Sequence, residues 1–192
     1  MSQLKMLRLP APAPKALPLP EGYSLVTYRS PEDRAGWCEC CRSGLIADDA
    51  GTEAYEKAMY AFPDLRETED VFFLDFDGRH VGTVTAFVEA NGLGHLHMVG
   101  IRTEFRGKGL NRYLMNAAVR HLEDLGAART LLLTDEWRKN AIRSYLHAGF
   151  CPMEYDTGMP ARWAQVLTDL NIESAPMLLE DGSFFCTVRS LK

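Results

Sequence analysis

Between His95 and Gly126 the chain changes period in mid-course, and this constrains the fold more than any other feature. His95 to Ile101 alternates as a strand, and Leu110, Tyr113, Leu114, Ala117, Ala118, Leu122 and Leu125 then recur at helical spacing until Gly126 stops them. The junction is Ile101-Arg-Thr-Glu-Phe-Arg-Gly-Lys-Gly-Leu-Asn-Arg112. A strand that runs through a glycine-rich turn into a helix start presents unpaired N–H groups and a partial positive charge, and glycines let a ligand approach the backbone. Arg106, Lys108 and Arg112 add positive charge around the same amides, so the segment reads as a pyrophosphate cradle. It is not a P-loop, which needs Gly-x-x-x-x-Gly-Lys-Ser/Thr, nor a dinucleotide fingerprint, which needs three glycines in a βαβ unit.

The flanking sequence supplies the layers. Tyr23 to Tyr28 alternates as a first strand, and Ser30-Pro31-Glu32-Asp33 starts a helix carrying Trp37, Cys41 and Leu45 as its buried stripe. A second helix is expected from Thr52 to Phe62. Val71 to Phe76 and Val81 to Glu89 read as strands joined by a tight Asp77-Gly78 turn, and Asn91 to Gly94 turns the chain into the strand at His95. Leu131-Leu132-Leu133 reads as a strand buried on both faces. A helix over about Arg138 to His147, stopped by Gly149, precedes the extended stretch opening at Phe150. A tail helix (Trp163, Val166, Leu167, Leu170) and a strand from Ser183 to Val188 complete the order. A meander handing over to β-α-β predicts an α/β (α+β) layer fold with helices on both faces of a mixed sheet.

Composition narrows the function classes. At 192 residues the chain fits one domain better than two, and a net charge of −5 argues against nucleic acid as a partner. No apolar run reaches the roughly 18 residues that a membrane span needs. Residues 1–20 are broken by prolines and read as a stiff, extended Pro/Ala-rich lead-in rather than a signal peptide, with residues 21–192 as a single domain. Five cysteines, an odd number bunched at Cys38, Cys40 and Cys41, fit the cytoplasm better than a secreted disulfide framework. They lack the paired spacing of a zinc site, so no metal is expected.

The junction resembles the GCN5-related N-acetyltransferase (GNAT) superfamily. Its coenzyme A motif, Arg/Gln-x-x-Gly-x-Gly/Ala, is matched by Arg106-Gly-Lys-Gly109-Leu-Asn111, with Asn111 departing from Gly or Ala. Downstream, Ala141-Ile-Arg-Ser-Tyr145-Leu-His-Ala-Gly149-Phe150 resembles a second family block, although Arg138 stands where the family has asparagine. The resemblance covers about residues 70–156. It implies a mostly antiparallel central sheet flanked by helices, and acetyl-CoA as co-substrate with its pyrophosphate wrapped by the amides of Gly107, Lys108, Gly109, Leu110, Asn111 and Arg112. It also implies that Met98, Val99, Gly100 and Ile101 pair with the pantetheine arm, that an N–H near Val99 bonds the thioester oxygen where a β-bulge splays the strand, and that Tyr145 protonates the leaving thiolate.

Transfer to an amine also requires removal of a proton from the acceptor. His95 and His97 lie two apart on one face of their strand, are of the residue type whose unperturbed pKa is usable near neutrality, and are similar to the His-x-His of the arylalkylamine N-acetyltransferase branch. Glu89 is the other candidate base. The expected reaction is direct attack by a small-molecule or peptide amine in a ternary complex, and Glu39, Asp48, Asp49, Glu53 and Glu56 are candidates for attracting a cationic acceptor. The alternatives are a catalytically inactive coenzyme A-binding regulatory domain and an RNA-binding domain using Arg102 to Arg112. The apolar tail strand Phe184-Phe185-Cys186 offers a surface for a homodimer.

Overall fold

The computed structural model describes residues 2–191. Along the chain run β1 (Leu4–Arg8), β2 (Tyr23–Thr27), α1 (Asp33–Cys41), α2 (Glu53–Met59), α3 (Glu67–Asp70), β3 (Val71–Phe76), β4 (Arg79–Val88) and β5 (Leu93–Ile101). A 3-10 turn (Thr103–Phe105) leads to α4 (Asn111–Asp124), β6 (Arg129–Thr134), α5 (Lys139–His147), β7 (Cys151–Pro152), α6 (Met159–Asp169), β8 (Ser174–Leu178) and β9 (Phe184–Arg189). These elements gather into two compact units, one from Pro12 to Ala127 and one joining the segment up to Ala11 to the segment from Ala128 on.

In the Pro12–Ala127 unit, β2, β3, β4 and β5 form an antiparallel meander. Asp77 and Gly78 both have positive φ, 51° and 72°, which lets a two-residue turn follow the twist of β3 and β4. Adjacent strand residues point to opposite faces. Phe73 accordingly enters the core formed with Trp37, Tyr55 and Met59 of α1 and α2, while Phe72 meets His121 of α4 at 5.1 Å between ring centres. Helices therefore cover both faces, and β4 is buried along nearly its whole length.

Helix α1 begins at Asp33, three residues after the expected Ser30 cap. The Asp33 carboxylate is recruited by its surroundings: it accepts from the Arg29 amide at 2.8 Å and faces His80 Nε2 at 3.0 Å. Burial opposes its ionisation, but the bonds from Arg29 and His80 hold its pKa down at about 2. The other His80 ring nitrogen contacts Asp75, so the imidazole ties α1 to both strands of the β3–β4 hairpin. A Cβ on Gly36 would lie 2.5 Å from this ring, so only glycine lets the helix rest on it. Of the expected lead-in, residues 14–17 strap α4: Asn116 bonds Lys15 O (3.0 Å) and Leu17 N (3.2 Å), and Arg120 bonds Pro14 O (2.9 Å).

The other unit corrects two expectations. Leu4–Arg8, placed in the lead-in, form β1, which pairs antiparallel with β6 on one side and β7 on the other and buries Leu4, Met6 and Leu7. Five residues ahead of a proline-rich stretch are too few to display a strand period. The β6 run is not buried on both faces, because Leu132 is buried whereas Leu133 is 49% exposed. Strand β8, which carries Pro176 and was not foreseen, pairs with β9. Trp163, Val166 and Leu167 bury one side of α6, as their spacing predicts. No helix among the described residues is long and apolar enough to cross a membrane.

Candidate active site

Strand β5 breaks register where its backbone was expected to splay. Thr83 pairs with Gly100 and Thr85 with His97, so the single Val84 faces both Met98 and Val99. This is a β-bulge, and Met98 adopts φ 50°, a left-handed conformation that costs a non-glycine residue about 1–2 kcal/mol. Around the bulge, His97 meets Phe62, three residues past the end of α2, and Met98 packs on the α1–α2 core. Gly100 follows because of close approach, since a Cβ there would sit 2.4 Å from the Cys40 carbonyl oxygen at the end of α1.

The two histidines share an apolar setting. His95 stacks on Phe87 at 4.9 Å and its Nε2 lies 2.9 Å from Glu89 Oε1. Burial lowers its pKa, and the Glu89 carboxylate works against that shift. His97 is more deeply enclosed, with Phe62 edge-on at 5.2 Å. Burial pushes its pKa down to about 4, although its hydrogen bond to the Ala58 backbone acts the other way. The imidazole is therefore neutral at pH 7, and its buried Nε2 has no hydrogen-bond partner among the described residues. A buried, unpaired acceptor of this kind is suited to receive a proton from a molecule bound beside it.

The glycine-rich loop is built differently. Gly107 and Gly109 have φ 76° and 71°, and a Cβ on either would meet nothing within 4 Å, so backbone conformation rather than crowding calls for glycine. Helix α4 starts without a side-chain cap, which leaves its first amides open to an anion. The cations are largely engaged. Arg106 Nε donates to Ile101 O at 2.9 Å, and its Nη2 donates to Arg42 O at 3.2 Å. Arg112 donates to the Tyr113 hydroxyl at 2.6 Å, and Lys108 Nζ sits 4.6 Å above the Phe105 ring. Asn111 is the first residue of α4, and its side-chain oxygen is buried without a partner among the described residues.

In the other unit, Tyr145 lies on α5 and is 4% exposed, with its ring edge toward Phe150. Burial pushes its phenol up to about 12, against the pull of the Arg138 charge, so it retains its proton at neutral pH. Four of the five acidic candidates for drawing in a cation have partners: Glu39 pairs with Arg42, Glu56 with Arg34, Asp48 accepts from Ser43 N and Glu53 from Gly51 N. Sequence reasoning named Arg102 only as one end of a basic cluster, whereas its Nε donates to His80 O at 2.6 Å and its Nη1 lies 3.6 Å from Glu39. Phe87, which stacks on His95, was not singled out, and its bulk was the only signal available.

With this geometry in place, a family model described as the acetyltransferase (GNAT) family matches residues 32–150. The chain belongs to that family. Among curated relatives, the mycothiol acetyltransferase of Streptomyces coelicolor is 31% identical over 170 residues, which cover 80% of this chain and 52% of that one. The mycothiol acetyltransferase of Thermobispora bispora is 30% identical over 158 residues, covering 75% and 50%. The chain thus spans about half the length of the curated relatives it matches. A GCN5-related N-acetyltransferase from Sphaerobacter thermophilus shares the fold with a TM-score of 0.56 at 21% identity, over 79% of this chain and 49% of that chain. The ribosomal-protein-S18-alanine N-acetyltransferase of Escherichia coli gives 0.54 at 16% identity, over 66% and 76%.

Proposed function

We propose that the chain is a cytoplasmic N-acetyltransferase that moves the acetyl group of acetyl-CoA to an amine by direct attack in a ternary complex, its two units acting as one domain. The observation that carries this reading is the β5 bulge. A strand holding a buried, neutral imidazole breaks its ladder and runs through a short loop to an uncapped helix start at Asn111. The amides from Gly107 to Arg112 take the pyrophosphate, and the backbone from Met98 to Ile101 takes the pantetheine arm. The acceptor nitrogen bonds to the acetyl carbon and releases a proton to His97 Nε2, with His95 and Glu89 beside it. The carbon–sulfur bond breaks, and the thiolate takes a proton from Tyr145, which solvent restores. Tyr145 is assigned by the family block alone.

The mycothiol acetyltransferase relatives favour a small-molecule amine over a peptide amine as acceptor. The exposed Phe184 and Phe185 of β9, at 63% and 46%, support a homodimer surface. The test is release of free thiol from acetyl-CoA with a panel of small primary amines and peptide amines, with the acetylated product identified by mass. Amine-dependent release is expected. A protein that binds acetyl-CoA but releases thiol with no amine above the hydrolytic background would contradict the reading.

A further inference from the structure

Among the described residues, Arg106 is the one cradle cation whose partners are main-chain carbonyls. Its Nε donates to Ile101 O, where β5 ends, at 2.9 Å; its Nη2 reaches Arg42 O at 3.2 Å and Ser43 O at 3.4 Å, just past the end of α1. The segment it grips is itself strained. Ser43 has φ 60°, and its amide is satisfied by the Asp48 carboxylate at 2.7 Å. Carbonyl oxygens that continue past a helix C-terminus lack intrahelical donors, and a planar guanidinium can supply several from one residue. Arg106 is exposed, so these bonds are not a consequence of burial.

We propose that Arg106 is a positioning residue that staples the glycine-rich loop to the turn after α1, and that it does not hold the pyrophosphate by charge. The staple fixes the loop from behind, and the phosphates fall to the amides of Gly107 to Arg112. This rests on the acetyl-CoA reading above for its ligand, but the staple itself uses only the chain's own atoms. It therefore makes a prediction that a phosphate-binding arginine does not. A side chain that keeps N–H donors without charge should substitute better than one that keeps the charge without the fork.

The experiment compares wild type with Arg106→Gln, Arg106→Lys and Arg106→Ala. Calorimetry measures the Kd of coenzyme A and of pantetheine, which has no phosphate. Hydrogen exchange measures the amides of Ser43, Leu45 and Ile46 without ligand. Lys and Ala are expected to weaken coenzyme A binding about 10-fold, the scale of one or two hydrogen bonds, and Gln by no more than about 3-fold. Pantetheine binding should be unchanged in all three. Exchange at residues 43–46 should quicken in Lys and Ala but not in Gln, and the dependence of the coenzyme A Kd on salt should keep its slope in Gln. Retained affinity in Lys with loss in both Gln and Ala would overturn the proposal in favour of a charge contact. Equal affinity in all four proteins with unchanged exchange would also overturn it. If wild type fails to bind coenzyme A, the acetyltransferase reading fails and Arg106 loses its cradle role, while the exchange measurements still decide whether the staple exists.

Discussion

The histidine stretch of β5 and the loop that follows it are consecutive in sequence, yet they are built on opposite physical terms. Around His95 and His97 the protein supplies aromatic rings and burial, and the consequence is two lowered pKa values and a ring nitrogen without a partner among the described residues. From Arg106 to Gly109 the backbone is exposed, and Arg106, Lys108 and Arg112 lean on carbonyls, a hydroxyl or a ring. The difference teaches a division of labour. Proton transfer benefits from a dry site where charges are felt strongly, whereas a polyanion can be held by oriented amides without dehydrating fixed cations. Changes at buried groups should therefore move chemistry or stability, and loss of charge alone at the exposed cations should move little.

The largest effect should come from the buried phenol. Tyr145→Phe is expected to lower kcat by about 10²–10⁴-fold, the range for loss of a general acid, with the Kd of acetyl-CoA unchanged. Equal turnover by both proteins would remove Tyr145 from the mechanism. Next comes acid stability. The folded-state pKa of His97, about 4, lies below the ordinary histidine value of 6.5, so the unfolded chain takes up this proton first as pH falls. Above pH 6.5 the residue has no pH-linked effect; between 6.5 and 4 it progressively destabilises the fold, by at most about 3 kcal/mol. Denaturant titrations should show a shallower loss over this window in His97→Phe than in wild type. An identical slope would mean that the imidazole is not dry.

A smaller loss is expected from Gly100→Ala, which sets a methyl group against the Cys40 carbonyl oxygen. About 1–3 kcal/mol of stability should disappear, as for other overpacked sites. The smallest effect belongs to the open region. Lys108→Ala should weaken coenzyme A binding by no more than about 3-fold, because its ammonium is exposed and screened. A loss of 100-fold would show that the loop relies on charge after all and would erase the contrast with β5.

Much of the frame was legible because its signals are local. The Asp77-Gly78 turn announces itself through residues that tolerate positive φ, and α4 through its apolar spacing. The position of the bulge had no such mark, since Met98 takes a left-handed conformation that glycine or asparagine would have signalled. Partnerships across long separations were also invisible. Asp33 and His80 are 47 residues apart, and Arg106 meets Arg42 from 64 residues away. The sequence showed that the cradle carries cations, but not where they point. That depends on which carbonyls the fold brings within reach. Strand β1 was hidden for a third reason, because its pairing partners arrive only after residue 128.

One measurement tests acetyl-CoA binding most directly: the melting temperature with and without acetyl-CoA, set against an adenosine nucleotide, in wild type and Gly109→Glu. A ligand that binds only the folded state raises apparent stability by mass action. Gly109 is at φ 71° with open space before it, so glutamate there strains the backbone and places a negative charge at the uncapped start of α4. The predicted result is stabilisation of wild type by acetyl-CoA well beyond that by the nucleotide, and none in the variant. No shift in wild type at saturating acetyl-CoA would contradict the central claim.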